Sequence, residues 1–247
     1  MHDGKLIQLW AHRGGESFLV ALEPASGKEL WRTPYPSGNN CSTPLVVRVG
    51  DEEQLVIAGY QTSGFDPDTG KLLWSVGRPD AGGNTTMASP VALGELVFVP
   101  GQRPRAGSGQ LRALIVTGGG EPVEELWSIR SDDNIPSPLA YDERLFFLKG
   151  DSAQLTVWNA ATGEVEYGPE RLAGVDEAWA SPVLAGGRLY VIGRAGTVAV
   201  LALAPEISVL ARNELPDAFD ASPAVAGDEL FLRGKRQLWC VAEPSSR

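Results

Sequence analysis

Five Ser-Pro or Thr-Pro steps recur at a nearly regular interval in this chain of 247 residues, and their spacing constrains the fold more than any other feature. The prolines are 46, 48, 44 and 41 residues apart, at Pro44, Pro90, Pro138, Pro182 and Pro223. In the last four repeats an apolar run begins six or seven residues after the proline, behind a turn that contains Gly or Asp. Short β-branched or aromatic runs between turn residues are typical of strands joined in hairpins.

A turn followed by an aromatic residue recurs in step with the first motif, in copies at 26–31, 69–74, 124–127 and 162–167. Glycine at such a turn allows a positive φ at no steric cost. The aromatic side chain supplies a flat apolar surface for packing between neighbouring sheets. We therefore expect a structural role for the glycines and tryptophans of this motif, which are Gly27, Gly70, Gly163, Trp31, Trp74 and Trp127.

A period of about 40–50 residues with about four strands is the signature of a β-propeller blade. The sequence predicts an all-β fold, a propeller of four-stranded antiparallel blades whose strands run A to D in chain order. Full blades are predicted at 43–76, 88–129, 136–172 and 180–214, and partial blades at 5–34 and 221–242. Strands B, C and D of the first partial blade are predicted at 5–12, 17–22 and 29–33, and strands A, B and C in the last. The prediction amounts to roughly 22 strands, or about five and a half blades, in a single domain over residues 1–247.

The repeat resembles the PQQ-type propeller repeat of quinoprotein dehydrogenases and of the BamB-like outer-membrane assembly lipoproteins. The shared pattern reads Pro-x-Val, then Leu-Tyr-Val, then Ala-Leu-x-Pro-x-x-Gly-Lys-x-Leu-Trp, and it is clearest at 17–31, 55–74 and 180–193. The resemblance is closest to the BamB-like proteins. It implies a non-catalytic binding or scaffold protein of the periplasm or cell envelope, with outer membrane assembly as the expected context. The alternative that it implies is a PQQ-dependent oxidoreductase or a relative of one without its cofactor.

The strand count leaves two interpretations open. Propellers avoid exposed edges by completing one blade from both chain ends, but here both partial blades are predicted to contain strands B and C. The chain is either an irregular six-bladed ring or an incomplete part of a larger one. The resemblance favours the second, because it implies seven or eight blades and an export signal. The first residues lack the basic and apolar regions of a signal peptide.

Composition limits the possible chemistry. A net charge of -10 argues against a nucleic-acid partner, because binding phosphates requires a basic surface. No apolar stretch approaches the ~18–20 residues of a membrane helix. The two cysteines, Cys41 and Cys240, are too few for a disulfide framework or a four-thiolate zinc site and are expected to be buried thiols.

The quinoprotein alternative implies adjacent cysteines and a Trp floor that clamp the cofactor, a calcium ion held by Glu, Asn and Asp, and a catalytic Asp. Cys41 and Cys240 are far apart in the sequence, and no segment contains a recognisable calcium and catalytic-Asp arrangement. Residues 66–70 resemble the start of a calcium loop, but no bidentate Glu follows and the segment coincides with the repeat's turn. We therefore expect no cofactor, no metal ion and no catalytic residue.

The remaining candidate is the propeller face from which the D-to-A and B-to-C loops emerge. The D-to-A loops are rich in acids and amides, including Asp217, and the B-to-C loops are rich in bases, which predicts an acidic inner ring and a basic outer ring. Such a face could recognise a protein or peptide, or a polysaccharide; alternatively, its loops are charged because they are solvated. Trp179 is either a binding anchor or a plug of the channel. The candidate binding residues are Asn40, Asn84, Asp133, Asn134, Glu177, Trp179, Asp220, Arg103 and Arg194.

Overall fold

The structure, a computed structural model, describes residues 1–12, 14–36, 39–59, 61–77, 85–100, 109–119, 123–131, 135–204 and 206–242. All regular elements in these ranges are β-strands. Within the same ranges no helix has the length and apolar character that crossing a membrane requires. The chain divides into two compact units.

The first unit comprises Met1–Asp133 and Ala161–Gly163. Its three antiparallel sheets, here called blades 1 to 3, follow one another in the chain. In chain order the strands are β1 (Leu6–Trp10), β2 (Phe18–Leu22) and β3 (Glu29–Pro34) of blade 1, then β4 (Asn39–Asn40), then β5 (Leu45–Val49), β6 (Glu52–Ile57), β7 (Gln61–Phe65) and β8 (Leu72–Gly77) of blade 2, then β9 (Thr85–Thr86), then β10 (Val91–Leu93), β11 (Leu96–Val99), β12 (Gly109–Ile115) and β13 (Glu124–Ser131) of blade 3.

The second unit comprises Asn134–Ala160 and Glu164–Arg247 and contains blades 4 to 6. Its strands are β14 (Leu139–Tyr141), β15 (Arg144–Lys149), β16 (Gln154–Asn159) and β17 (Val165–Arg171) of blade 4, β18 (Val183–Ala185), β19 (Arg188–Ile192), β20 (Thr197–Ala202) and β21 (Ser208–Glu214) of blade 5, and β22 (Ala224–Ala226), β23 (Glu229–Arg233) and β24 (Leu238–Ala242) of blade 6.

The predicted architecture, a propeller of four-stranded antiparallel blades, is confirmed. Blades 2 to 5 each contain four strands in the order A-B-C-D, and blades 1 and 6 contain three. The short strands β4 and β9 were not predicted; they belong to consecutive D-to-A loops and pair in parallel, Asn39 with Thr85 and Asn40 with Thr86. The assignment of residues 1–247 to a single domain stays a prediction.

In the four-stranded blades, strands B and C form the core because they lie in the middle of the sheet. Consecutive residues of β6, such as Leu55, Val56 and Ile57, are therefore all buried although their side chains alternate between the two faces. Leu55 and Ile57 pack in one cluster with Leu9 and Leu19 of blade 1. Val56 packs in another with Val97 of blade 3. Clusters of the same kind join blade 4 to blade 5 and blade 5 to blade 6.

The serines of the Ser-Pro steps link neighbouring blades. The Ser89 hydroxyl oxygen accepts a hydrogen bond from the backbone N–H of Thr43 at 2.8 Å. In the second unit Ser181 accepts from Ser137, and Ser222 accepts from Ser181, each at 2.9 Å. The recurring motif thus marks both the start of a blade and a polar contact to the previous one.

We expect Ser181→Ala to lower the free energy of unfolding by about 1 kcal/mol, the usual net contribution of one such hydrogen bond. The variant removes the acceptor of the Ser137 N–H but leaves the strands intact. Chemical denaturation measures the effect, with Ser208→Ala on the exposed strand β21 as the matched control. An equal effect in both variants would mean that the Ser181 hydroxyl does not stabilise the contact between the blades.

The expectation that the two cysteines are buried is wrong, because both are exposed. Free cysteine is among the residue types most often buried. Cys41 instead lies in the loop that follows β4, and Cys240 lies on β24, where most side chains are exposed.

The tryptophan and glycine of the second motif meet across neighbouring blades. The Trp31 ring lies on the Gly70 turn, where a Cβ atom on Gly70 would come within 2.4 Å of Trp31 Cε3. The Trp31 indole N–H donates to the carbonyl of Pro67 at 3.2 Å. Trp127 covers Gly163 in the same way, with a Cβ approach of 2.9 Å. We call this contact the blade joint.

Trp74 packs differently from the other two tryptophans. Its ring lies against Gly64 of its own blade, and its indole N–H donates to the fully buried Gln54 at 2.7 Å. Gln54 in turn donates to the carbonyl of Thr117 at 2.9 Å. Trp74 therefore contributes to the core between blades 2 and 3.

Candidate functional site

Backbone hydrogen bonds join the D-to-A and B-to-C loops of the second unit. Arg194, in the B-to-C loop of blade 5, donates its N–H to the carbonyl of Glu177 at 2.8 Å and accepts from Phe219 at 3.1 Å. Lys235, at the same place in blade 6, donates to Ala218 at 2.9 Å. Phe219 is fully buried and anchors its loop in the core between blades 5 and 6. The loops are thus fixed by backbone contacts before any side chain contributes.

Arg194 lies at the centre of a side-chain cluster on these loops. Its Nη1 is 2.9 Å from Glu177 Oε2, and its Nε is 2.8 Å from Asp220 Oδ1. Its guanidinium carbon lies 3.6 Å from the centroid of the Trp179 ring, which is a cation–π contact. The Trp179 indole N–H donates to Glu177 Oε1 at 2.8 Å. We call these four residues the Arg194 cluster.

The charges of the Arg194 cluster are paired with one another. The hydrogen bonds from Arg194 and then Trp179 lower the pKa of Glu177. The hydrogen bond from Arg194 lowers the pKa of Asp220, and Lys235, whose Nζ is 3.4 Å from Asp220 Oδ2, adds to the effect. Both carboxylates are therefore ionised at neutral pH and paired with cations. Acidic side chains of the D-to-A loops thus contact basic side chains of the B-to-C loops directly.

Trp179 is half-buried, and one face of its ring is covered by Arg194. The side chains of Glu177 and Arg194 stay partly exposed, by 42% and 29%. The cluster is thus reachable from solvent, and the hydrogen bonds among its side chains fix their positions. An anchoring role for Trp179 stays a prediction.

Asp217 is not the surface acid that the sequence predicts. Its side chain is only 1% exposed and lies inside the turn between β23 and β24. Its carboxylate accepts from the N–H groups of Ala218 at 2.8 Å and Gln237 at 3.0 Å, and from Arg236 at 3.2 Å. Burial acts to raise the pKa of Asp217, but these bonds and the Trp239 indole outweigh it and lower the pKa to about 2. Asp217 holds together the two loops that position Asp220 and Lys235.

Asn40, another candidate, also has a structural role. Its amide nitrogen donates to the carbonyl of Ala58 at 2.6 Å, and its amide oxygen accepts from the N–H and hydroxyl of Ser42 at 2.9 and 2.7 Å. The nearby Tyr35 is half-buried, and this burial raises the pKa of its hydroxyl to about 12. These contacts occupy the Asn40 amide in fixing a D-to-A loop against a B-to-C loop. The predicted candidates Asn84, Asp133, Asn134 and Arg103 lie outside the described residues.

In the turn at 66–70, the Asp66 carboxylate accepts hydrogen bonds from the backbone of the turn itself. Asp66 Oδ1 accepts from the N–H groups of Asp68 and Thr69 at 2.8 and 2.9 Å, and Gly70 donates to the Asp66 carbonyl. An open cavity of about 640 Å³ borders this turn. The Asp68 carboxylate beside it is paired with Lys5. These contacts account for the resemblance to a calcium loop as turn chemistry.

The described residues do not fit the quinone cofactor that the resemblance to quinoprotein dehydrogenases implies as an alternative. Among them no three His, Cys, Asp or Glu side chains are grouped so that they could hold a metal ion. The two cysteines are not adjacent in the sequence. The ring of Trp179, the loop tryptophan, already carries the Arg194 guanidinium on one face.

Comparisons with known proteins agree with the repeat analysis. The family model described as outer membrane protein assembly factor BamB matches residues 8–124 and 123–206. No curated protein is similar enough in sequence to count as a match. Among solved structures, BamB from Moraxella catarrhalis has 16% identity and a TM-score of 0.50, over 98% of this chain and 84% of that chain.

Two further structures are similar in fold. The computationally designed protein Ika8 has 12% identity and a TM-score of 0.64, over 95% of this chain and 70% of that chain. A quinohemoprotein alcohol dehydrogenase from Pseudomonas putida HK5 has 16% identity and a TM-score of 0.60, over 86% of this chain but 41% of that chain. At these identities the similarities show the fold alone. Because the family match spans well over half of its length, the chain belongs to the BamB-like family of PQQ-repeat β-propellers.

Proposed function

We propose that this chain is a non-catalytic β-propeller module of the bacterial cell envelope that binds a protein or peptide through the Arg194 cluster. The family's description as an outer membrane protein assembly factor supports a partner within an envelope protein complex. A polysaccharide is the second class of ligand. The net charge of -10 disfavours nucleic acid.

The stacking of Arg194 on Trp179 is the observation that carries this proposal. Trp and Arg are the side chains most enriched among residues that dominate protein–protein affinity. Here Glu177 and Asp220 already hold the guanidinium, and Glu177 also holds the indole. Because these side chains are already held in place, binding a partner would restrict few additional side-chain torsions. The entropic cost of binding is therefore lower.

Photo-crosslinking in living bacteria tests the proposal. A benzophenone amino acid in place of Lys235, whose side chain is 58% exposed beside Asp220, is expected to form a discrete adduct with a protein. Arg194→Ala in the same protein is expected to reduce the adduct about tenfold or more, because it removes both the cation–π contact and the two ion pairs. Gel mobility and mass spectrometry of the adduct measure the outcome.

Two controls separate this result from nonspecific capture. Arg188→Ala changes the same residue type at an exposed position on β19 and should leave the adduct unchanged. A crosslinker in place of Lys71, on the exposed turn of blade 2, should not give the same adduct. Absence of an adduct at 235, or an equal adduct with Arg194→Ala, would contradict the proposal.

The oxidoreductase alternative is tested separately with PQQ and Ca²⁺. On the proposed function, titration gives no bound-quinone absorbance and no dye-linked oxidation of common alcohols or sugars. Stoichiometric binding with turnover would overturn the non-catalytic assignment whatever the crosslinking result. The fold similarity to the alcohol dehydrogenase makes this experiment worthwhile.

A further inference from the structure

Cys41 and Met87 occupy the same position in consecutive D-to-A loops of the first unit. Each precedes the proline of its Thr-Pro or Ser-Pro step by three residues. On one side of them β4 and β9 pair in parallel as far as Asn40 and Thr86. On the other side the hydrogen bond between the two steps also joins residues 46 apart. Because neighbouring strands lie about 4.8 Å apart, the backbones of Cys41 and Met87 run side by side.

The burial of the two loops indicates that both sulfur side chains point the same way. The residues that follow them, Ser42 and Ala88, are only 4% and 2% exposed. Cys41 is exposed, and Met87 is 37% exposed. Successive side chains of an extended segment point to opposite sides. Cys41 and Met87 therefore share the solvent side of their loops, where a ligand can reach both.

The second unit shows that residues at this position can share one partner. Trp179 and Asp220 also precede the prolines of consecutive Ser-Pro steps by three residues. Both contact the guanidinium of Arg194, the Trp179 ring at 3.6 Å from its carbon and Asp220 Oδ1 at 2.8 Å from Nε. This pair of positions thus brings two side chains of neighbouring loops to a single cation.

The chemistry of the corresponding pair in the first unit favours a different cation. Thiolate and thioether sulfurs select Cu(I), whereas Ca²⁺ and Mg²⁺ take oxygen ligands. Two sulfur ligands are sufficient for Cu(I), so the site requires no His, Asp or Glu. The chain contains only two cysteines and two methionines, and one of each lies here. The sequence-based expectation of no metal ion considered calcium and zinc sites, which need oxygen ligands or a larger ligand set.

We propose that Cys41 and Met87 form a binding site for one Cu(I) ion. The Cys41 thiolate and the Met87 thioether are its ligands. Binding displaces the thiol proton to solvent, and the thiolate neutralises the charge of the ion. No electron is transferred, because copper enters and stays as Cu(I). The site is distinct from the Arg194 cluster and does not depend on the function proposed for it.

Competition with bathocuproine disulfonate, a coloured chelator of Cu(I), tests the site. The full chain, kept reduced by ascorbate under nitrogen, is expected to withdraw one equivalent of Cu(I) from the chelator. Cys41→Ser is expected to abolish this transfer. Met87→Leu keeps the apolar bulk but has no sulfur donor, so it is expected to weaken binding about tenfold or more, at least the loss caused by changing a residue beyond the ligands.

Matched variants make the outcome specific. Cys240→Ser removes the other exposed thiol, whose partner across the sheet is Phe231, and should leave the transfer unchanged. Trp179→Ala in the Arg194 cluster should also leave it unchanged, so failure here is distinguishable from failure of the proposed function.

X-ray absorption at the selenium edge of selenomethionine-labelled protein observes the second ligand directly. A copper atom bound to selenium is expected in the wild-type chain. It should be absent from Met87→Leu, which retains the selenium at Met1 as the background. A spectrum without copper beside selenium in the wild-type chain would exclude Met87 as a ligand.

Four results of the competition experiment would overturn the proposal. The first is no transfer of copper from the chelator to the wild-type chain. The second is equal binding by Met87→Leu, and the third is an equal loss of binding in Cys240→Ser. The fourth is half an equivalent of copper per chain with a dimer in sedimentation experiments, because a thiolate of a second copy would then take the place of Met87.

Discussion

Gly70→Ala is expected to lower the free energy of unfolding by about 3 kcal/mol, a large effect for the addition of one methyl group. About 1 kcal/mol of this arises because alanine disfavours positive φ, and Gly70 has a φ of 71°. The remainder arises because the new Cβ would lie 2.4 Å from Trp31 Cε3 and 2.7 Å from the Thr33 hydroxyl. The indole must then move away from the turn, and its bond to the Pro67 carbonyl is lost.

The chain supplies its own controls for this measurement. Gly27 has the same φ and the same turn, but its Cβ would contact nothing, so Gly27→Ala should cost only about 1 kcal/mol. Gly163→Ala should fall between the two, because its Cβ approach to Trp127 is 2.9 Å. Chemical denaturation of the three variants gives the ranking. Equal values for Gly27 and Gly70 would show that packing of the tryptophan contributes nothing at the joint.

The fold could be predicted because its determinants are local and repeated. A Ser-Pro step, a two-residue turn and a Gly-x-x-x-aromatic turn each constrain a few consecutive residues, and their regular spacing identifies the blade. The roles of the same residues between blades could not be predicted, because they depend on partners about 40 residues away. Ser181 illustrates this: its motif marks the start of a blade, but the acceptance of a bond from Ser137 appears only in the structure. The pair β4 and β9 is formed by backbone groups and leaves no side-chain pattern.

The proximity of three candidate residues could be predicted from the sequence, but the pairing of their side chains could not. Strand order indicates that the loops containing Glu177, Arg194 and Asp220 emerge together, and the structure places the three side chains in contact. Their pairing depends on where side chains point within loops. Loops lack the regular alternation of side chains that makes this direction predictable in strands. Asp217 and Asp220 show the difference most clearly. They are three residues apart in one acidic loop, yet one is enclosed by backbone donors and the other is on the surface.

The aromatic pair on blade 1 was missed, although the sequence contained a signal for it. Trp10 and Phe18 flank a Gly-rich turn at equal distances from its centre, which is the spacing of a cross-strand pair. The sequence also does not show which face of the sheet they share or whether a neighbouring blade covers it. Trp10 is 54% exposed, whereas Leu9 and Leu19 of the same two strands pack against blade 2.

Asp217→Ala is expected to lower the thermal midpoint by on the order of 10 °C, the largest effect of any polar substitution considered. It leaves the N–H groups of Ala218, Arg236 and Gln237 without their carboxylate acceptor. The vacated space lies against Gly234, whose absent side chain leaves room for the carboxylate: a Cβ there would be 2.2 Å from Asp217 Oδ2. Calorimetry of the variant measures the change, and Asp228→Ala, exposed on the same blade, is the matched control.

The contribution of Asp217 to stability also depends on pH in a defined direction. Its pKa is about 2 in the folded chain and near the ordinary aspartate value when unfolded, so between these values the unfolded chain binds more protons. The advantage of wild type over Asp217→Asn should therefore be complete above about pH 4 and decline as the pH falls towards about 2. Denaturation at pH 7, 5 and 3 measures it, and a difference that stays constant over this range would contradict the role of the charged carboxylate. Because the same turn positions Lys235 against Asp220, Asp217→Ala should also diminish the crosslinked adduct at position 235.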